Sequence, residues 1–214
     1  MTDAEAAERY HHKFALAFVK ARHPDAPSLP DGALLAWARA QGTRIHRFKR
    51  SIPLPRVHKI LGFLRAIQPG TVLDVGSGRG TALWPMMDAL PTTRFISAEV
   101  NPKRAEQLYL TASNLEQLDV VEEDAQAMRL PGDHVDVVTM LEVLEHMPDP
   151  AAAMAHALRV SRNHVVITVP SKEDNNPEHI HLFTGKRLEQ MLSDAGARKV
   201  QVTYIHNHIV VFAR

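Results

Sequence analysis

The apolar residues of this chain change their spacing near residue 70. Before that point they recur every three to four positions, the period of one buried helix face. Phe14, Ala17, Phe18 and Ala21 do so within 4–22, Leu34, Leu35, Trp37 and Ala38 within 31–41, and Val57, Ile60, Leu61 and Leu64 within 54–67. Pro24, Pro27 and Pro30 separate the first two stretches, and Pro69-Gly70 ends the third, as residues that cannot continue a helix do. From Thr71 onward short apolar runs alternate with helical patterns. Strands are predicted at 71–75, 94–99, 118–122, 135–140 and 164–169, with helices at 81–89, 102–113, 142–158 and 184–195. Such alternation predicts an α/β fold, a parallel sheet covered on both faces. The last two runs, 199–205 and 208–213, are separated only by His206-Asn207. That is hairpin spacing, so the final strand is expected to run antiparallel at or near the sheet edge.

Chemistry enters at the end of the first strand. Val72 to Gly80 reads VLDVGSGRG, an apolar run followed by Asp74 and the alternating glycines Gly76, Gly78 and Gly80. A turn without Cβ atoms lets backbone N–H groups approach a ligand closely, and the following helix points its positive end at the same spot. A dinucleotide fingerprint requires glycines at the first, third and sixth positions. The sixth position from Gly76 is Thr81, which argues against a nicotinamide dehydrogenase. The second strand ends in Ala98-Glu99-Val100-Asn101, where a carboxylate can accept both hydroxyl protons of a ribose.

The Asp-x-Gly-x-Gly-x-Gly run, with Glu99 in phase behind it, resembles the class I S-adenosylmethionine-dependent methyltransferases, in particular methyltransferases of the type 11/12 kind. The resemblance covers roughly residues 54–214. It implies a Rossmann-like, seven-stranded, mostly parallel sheet with an antiparallel C-terminal hairpin strand and S-adenosylmethionine as cofactor. The matching positions assign Asp74, Gly76, Ser77, Gly78 and Gly80 to the amino-acid portion of the cofactor, with Asp74 orienting its ammonium. They assign Glu99 to the ribose, Val100 beside it to the cofactor site, the Asp124 carboxylate to the adenine amino group, the Ala125 backbone to the ring, and Leu141 to the methionine end. Residues 1–53 are expected to form an N-terminal helical extension or lid, and 54–214 the cofactor-binding domain.

After the fourth strand the chain reads Glu142-Val-Leu-Glu145-His146. In the first turn of a helix, positions 142, 145 and 146 share a face. Farther on comes Glu178-His179-Ile180-His181-Leu182-Phe183. The pattern resembles two metal-using groups, methyltransferases of the terminal ribose 2′-hydroxyl of small RNAs and O-methyltransferases of ubiquinone synthesis. By that resemblance Glu142, Glu145, His146 and His181 would ligate Mg²⁺ or Mn²⁺, with His179 the runner-up to His181. A cation there would lower the pKa of an attacking hydroxyl. In the alternative without metal, Glu142 closes the cofactor pocket and His146 serves as general base. Glu142 and His146 are the expected catalytic pair.

Composition narrows the partners. The chain has 214 residues, 45% of them hydrophobic, a net charge of +1 and no cysteine, which excludes disulfide frameworks and thiol chemistry. Its polar opening and the lack of a long apolar stretch predict neither a leader nor an integral membrane segment, and a cytoplasmic enzyme. Between Asp31 and Asp74 there is no acidic residue, while Arg39, Arg44, Arg47, Lys49, Arg50 and Arg56 fall there along with Lys59 and Arg65. This bias suits a phosphate-bearing partner or a solvated face. The expectation is methyl transfer, in the first place to oxygen of a small hydroxylated metabolite. An RNA terminal ribose 2′-O-methyltransferase and a non-catalytic binding protein of the same fold are the alternatives.

Overall fold

The computed structural model describes residues 9–50, 54–173 and 175–214. Seven helices and seven strands are used below. Helices α1 (His12–Arg22), α2 (Asp31–Ala40) and α3 (Pro55–Ile67) precede strand β1 (Thr71–Val75). Then follow α4 (Leu83–Ala89), β2 (Arg94–Ala98), α5 (Pro102–Ala112), β3 (Leu118–Val121) and β4 (Val135–Leu141). The chain finishes with α6 (Pro150–Val160), β5 (Ser161–Pro170), α7 (Gly185–Asp194), β6 (Val200–Ile205) and β7 (His208–Ala213).

The strands form one sheet in the order β3-β2-β1-β4-β5-β7-β6. All neighbours among the first five are parallel. β7 is antiparallel to both β5 and β6, so the hairpin inserts its second strand inside the sheet and leaves β6 at the edge. Strand order reverses between β1 and β4, and ligands of open α/β sheets bind at such a reversal, beyond the carboxyl ends of the strands.

The expected helix over 4–22 is interrupted. Residues 4–8 lie outside the described residues, Arg9 is helical, and after a break at Tyr10 and His11 the helix resumes over His12–Arg22. Just before it, Tyr10 makes an antiparallel bridge with Lys49, and the His11 N–H donates to the Phe48 carbonyl at 2.7 Å. Helices α1, α2 and α3 bury Phe14, Phe18, Leu35 and Ile60 in the same core as Val72 and Trp84. They therefore pack as one face of the sheet layer.

The expected helix over 142–158 is a correction. Glu142 takes a left-handed conformation with φ 60°, and a short 3₁₀ turn covers Leu144–His146. The α-helix starts only at Pro150, where the Asp149 carboxylate accepts from the Ala152 N–H at 2.9 Å. Pro148 and Pro150 are the physical reason: neither offers an N–H to a preceding turn, whereas proline fits the first helical position. Glu142, Glu145 and His146 consequently do not share a helix face.

Candidate functional site

Two adjoining chambers line the carboxyl edge of the sheet at the order reversal. One, of about 290 Å³, lies over β1 and β4 and is lined by Asp74, Gly76, Ser77, Leu141, Glu142 and Thr168, with Arg56 and Arg79 at its sides. The other, of about 510 Å³, lies over β2 and β3 and is lined by Glu99, Val100, Asp124, Ala125, Val143 and His146. Gly76, Arg104 and Glu142 border both, so the two form one cleft.

The glycine turn is shaped by close approach. Gly76 has φ 69°, and a Cβ there would fall 2.8 Å from the Val143 side chain. Gly80 has φ 81°, and its Cβ would overlap the Trp84 indole. Both positions demand glycine on backbone and steric grounds together. Glu99 locks the turn from the neighbouring strand. One carboxylate oxygen accepts from the Gly78 N–H at 2.9 Å and the other from the Asn101 N–H at 2.9 Å. Each oxygen retains a second lone pair, so the same carboxylate can still accept two hydroxyl protons from the chamber it lines.

Asp74 sits beneath this turn, 2% exposed. Thr139 Oγ1 donates to its Oδ1 at 2.6 Å and Ser77 Oγ to its Oδ2 at 2.7 Å. Ser97 Oγ in turn donates to Ser77 Oγ at 2.8 Å. Burial pushes the Asp74 carboxyl up to about 6, the two hydroxyl donors oppose the shift, and the nearby Glu99 charge adds to it. A carboxyl so placed gains most from a cation in the chamber, which would restore its ionised form.

On the β3 side, the Asp124 Oδ1 caps a 3₁₀ turn by accepting from the Gln126 N–H at 2.9 Å. Ala125 follows it, buried, and Val100 stands 69% exposed opposite.

The residues expected to gather around a metal divide into two groups. Glu142 turns back into the β1–β4 chamber: Thr168 Oγ1 donates to it at 2.8 Å, His208 Nε2 lies 3.0 Å away and Arg56 Nε 3.5 Å away. Burial and the Arg56 charge lower the His208 pKa, against the pull of Glu142. Glu145, fully buried, instead points with His146 and His179 to a common spot, their ligand atoms lying within 4.8 Å of one another. His181 is committed elsewhere, its Nε2 bonded to the Met147 carbonyl at 2.9 Å. The loop after β5 fixes this choice, because the Ile180 N–H donates to the Glu145 carbonyl at 2.8 Å. The structure therefore assembles Glu145, His146 and His179, not the expected set with Glu142 and His181. Arg56, Thr168 and His208 were not singled out from the sequence; only Arg56 carried a signal, its place in the basic run.

Comparison with known proteins fits this geometry. A methyltransferase domain model matches residues 44–202. A ubiquinone biosynthesis O-methyltransferase of Thiobacillus denitrificans is 34% identical over 90 residues, which cover 42% of this chain and 38% of that protein. The chain thus spans well under two thirds of the length of the curated relatives it matches. The structure of an S-adenosylmethionine-dependent methyltransferase from Aquifex aeolicus superposes with a TM-score of 0.61 at 18% identity, over 77% of this chain and 98% of that one. Magnesium protoporphyrin IX methyltransferase from Synechocystis, solved with bound S-adenosylhomocysteine, superposes with a TM-score of 0.59 at 18% identity, over 73% and 80% of the two chains. On the strength of the sheet order, the glycine turn and the matched domain, the chain belongs to the methyltransferase domain family and has the class I, S-adenosylmethionine-dependent methyltransferase fold.

Proposed function

We propose that the protein transfers a methyl group from S-adenosylmethionine to a hydroxyl oxygen of a small metabolite. The observation that carries the reading is the continuity of the cleft: a glycine turn pinned to Glu99 on one side, opening past Gly76 and Glu142 into a chamber with donors and acceptors at its floor. In this reading Glu99 holds the ribose, Val100, Asp124 and Ala125 the adenine, and Asp74 with the glycine turn the amino-acid portion. The sulfonium would then face the ends of β4 and β5, at Leu141, Glu142 and Thr168. The curated O-methyltransferase relative supports oxygen as acceptor atom.

Methyl transfer is an in-line displacement in which the sulfonium leaves as a neutral thioether, so the protein has to position the acceptor and take its proton. His146 suits that task. Its Nδ1 lies 2.9 Å from the Glu178 carbonyl, an acceptor-only partner, so Nδ1 carries the proton and Nε2 keeps a free lone pair. Glu142, held by Thr168, His208 and Arg56, would orient the acceptor in the neighbouring chamber.

The convergence of Glu145, His146 and His179 favours a second route to the same proton. One carboxylate and two imidazoles, one imidazole already oriented by a backbone carbonyl, fit a divalent cation. These residues would hold Mg²⁺ or Mn²⁺, which when bound lowers the pKa of a ligated hydroxyl. Chelator treatment separates the routes: turnover that survives assigns the proton to His146 alone.

The decisive test is calorimetric titration with S-adenosylhomocysteine. Binding that weakens by about 10- to 100-fold in Glu99→Gln, as loss of a charged acceptor predicts, supports the reading. Absence of binding by the unaltered protein sinks it in favour of a non-catalytic role. Methylation of small-RNA ends, in place of hydroxylated metabolites, would move the acceptor to nucleic acid.

A further inference from the structure

Three polar side chains lie in one row across the middle of an apolar sheet. The register sets Asp74 of β1 opposite Ser97 of β2 on one side and Thr139 of β4 on the other. Val120 and Val166 take the next places outward, on β3 and β5. Ser97 and Thr139 are fully buried and Asp74 is 2% exposed. Valine at 97 or 139 would suit a strand as well and would bury no hydroxyl, so the row has a reason other than the fold.

The hydrogen bonds supply it. An ionised Asp74 can only accept, so Thr139 Oγ1 donates to Oδ1 at 2.6 Å and Ser77 Oγ to Oδ2 at 2.7 Å. Ser77 has then spent its one hydrogen and accepts from Ser97 Oγ at 2.8 Å. Each carboxylate oxygen keeps a lone pair for the chamber that Asp74 lines. Ser77 has a second acceptor in the Asp74 carbonyl at 3.1 Å, and can turn to it when the carboxyl is protonated. Ser97 opposes that turn, because it already fills one of the two Ser77 lone pairs. Thr139 can turn only to the Leu73 carbonyl at 3.4 Å, a poor bond, so it stays on the carboxylate. The charged groups around the chamber stand on other segments: Glu99 after β2, Glu142 after β4, Arg56 of α3, Arg79 of the turn and Arg104 of α5. The hydrogen bonds described for the Asp74 carboxylate come from hydroxyls alone. Burial favours the neutral acid, the two hydroxyls oppose it, and the Glu99 charge adds to the burial.

We propose that Thr139 and Ser97 are positioning residues that keep the Asp74 carboxylate charged for the ammonium of the cofactor. Neither lines the cleft, so both act through Asp74 and not by touching the cofactor. The inference rests on the methyl-transfer reading, which puts that ammonium at Asp74.

The test is calorimetric titration of the full chain with S-adenosylhomocysteine between about pH 5 and pH 8. Affinity should fall with acid in the original, because binding then has to displace the Asp74 proton. Thr139→Val keeps the branched shape and removes the donor. Its fall should be centred about one pH unit higher, as loss of a hydrogen bond to a charged group predicts. At about pH 6 that makes its binding about fivefold weaker than the original's, a gap that narrows towards pH 8. Ser97→Ala should move the fall the same way by about half as much, acting through Ser77. Thr139→Ser should restore the original profile. A merely structural hydroxyl would lower the midpoint of thermal unfolding and leave the pH profile where it is. Ser97→Ala reads the network even where Thr139→Val folds poorly. Profiles of both variants that coincide with the original's overturn the inference, and so does an original whose affinity does not change with pH. Failure of S-adenosylhomocysteine to bind the original at any pH is a separate result, which overturns the methyl-transfer reading and this inference with it.

Discussion

The loop after β1 and the segment after β4 both feed the same cleft, but they are built on different principles. Between Asp74 and Gly80 the course of the turn is set within a few residues: Ser77 bonds Asp74, and Gly80 donates to the Ser77 carbonyl at 2.8 Å. Glu99, Ser97 and Thr139 complete it from the neighbouring strands. Between Glu142 and His146 the side chains are assigned by partners far along the chain. Thr168 and His208 draw Glu142 one way, while the loop carrying Ile180 and His179 draws Glu145 and His146 the other. A local site survives translation from sequence to structure; a site whose members belong to different loops depends on where those loops land.

Substitutions in the two segments should therefore fail differently. The largest effect is expected from Gly80→Ala. A Cβ there meets the Trp84 indole in a left-handed backbone, and strain plus overpacking should destabilise the fold by roughly 3 kcal/mol or more. Denaturant unfolding checks it, and an Ala variant as stable as the original would show that the turn can relax.

Asp74→Asn tests the same loop through pH. The folded carboxyl stands at about 6, against an ordinary value of 3.8. A raised acid contributes its stability below the unfolded value and loses it as pH rises through the folded one. The loss therefore accrues from about pH 4 to pH 6 and amounts to about 3 kcal/mol at neutral pH. The Asn variant should be more stable than the original by about 1–3 kcal/mol at pH 8, and its stability should vary less between pH 4 and 7. In the original protein, S-adenosylhomocysteine affinity should fall as pH drops below about 6, because its ammonium selects the ionised carboxyl. Calorimetry across that range should find the dependence absent in Asp74→Asn.

The segment after β4 should respond more gently and with a sharper pattern. His179→Ala should abolish any Mn²⁺ dependence of turnover, and the structure predicts that its runner-up status against His181 is reversed. His181→Ala should leave metal response intact and cost only about 1 kcal/mol of stability, the worth of its bond to the Met147 carbonyl. The opposite ranking would place His181 in the site after all.

How much of this was legible beforehand follows the same division. The β-strand runs, the helical faces and the hairpin at His206-Asn207 carry their own periodicity, and the observed sheet agrees with them. The break at Tyr10 and the splitting of 142–158 did not show in periodicity. The first is decided by pairing with Lys49, a residue nearly forty positions away. The second was foreshadowed by Pro148 and Pro150, whose missing N–H groups outweigh a helical spacing of polar residues.

By itself the sequence determined the architecture and the turn that faces the cofactor cleft, because apolar period and glycine placement act through the backbone of adjacent residues. Only the tertiary structure decided which of two glutamates joins two histidines, and which one turns to Thr168 and His208. Those outcomes rest on distance and burial between segments brought together by the sheet, and neither quantity is written in the local order of residues.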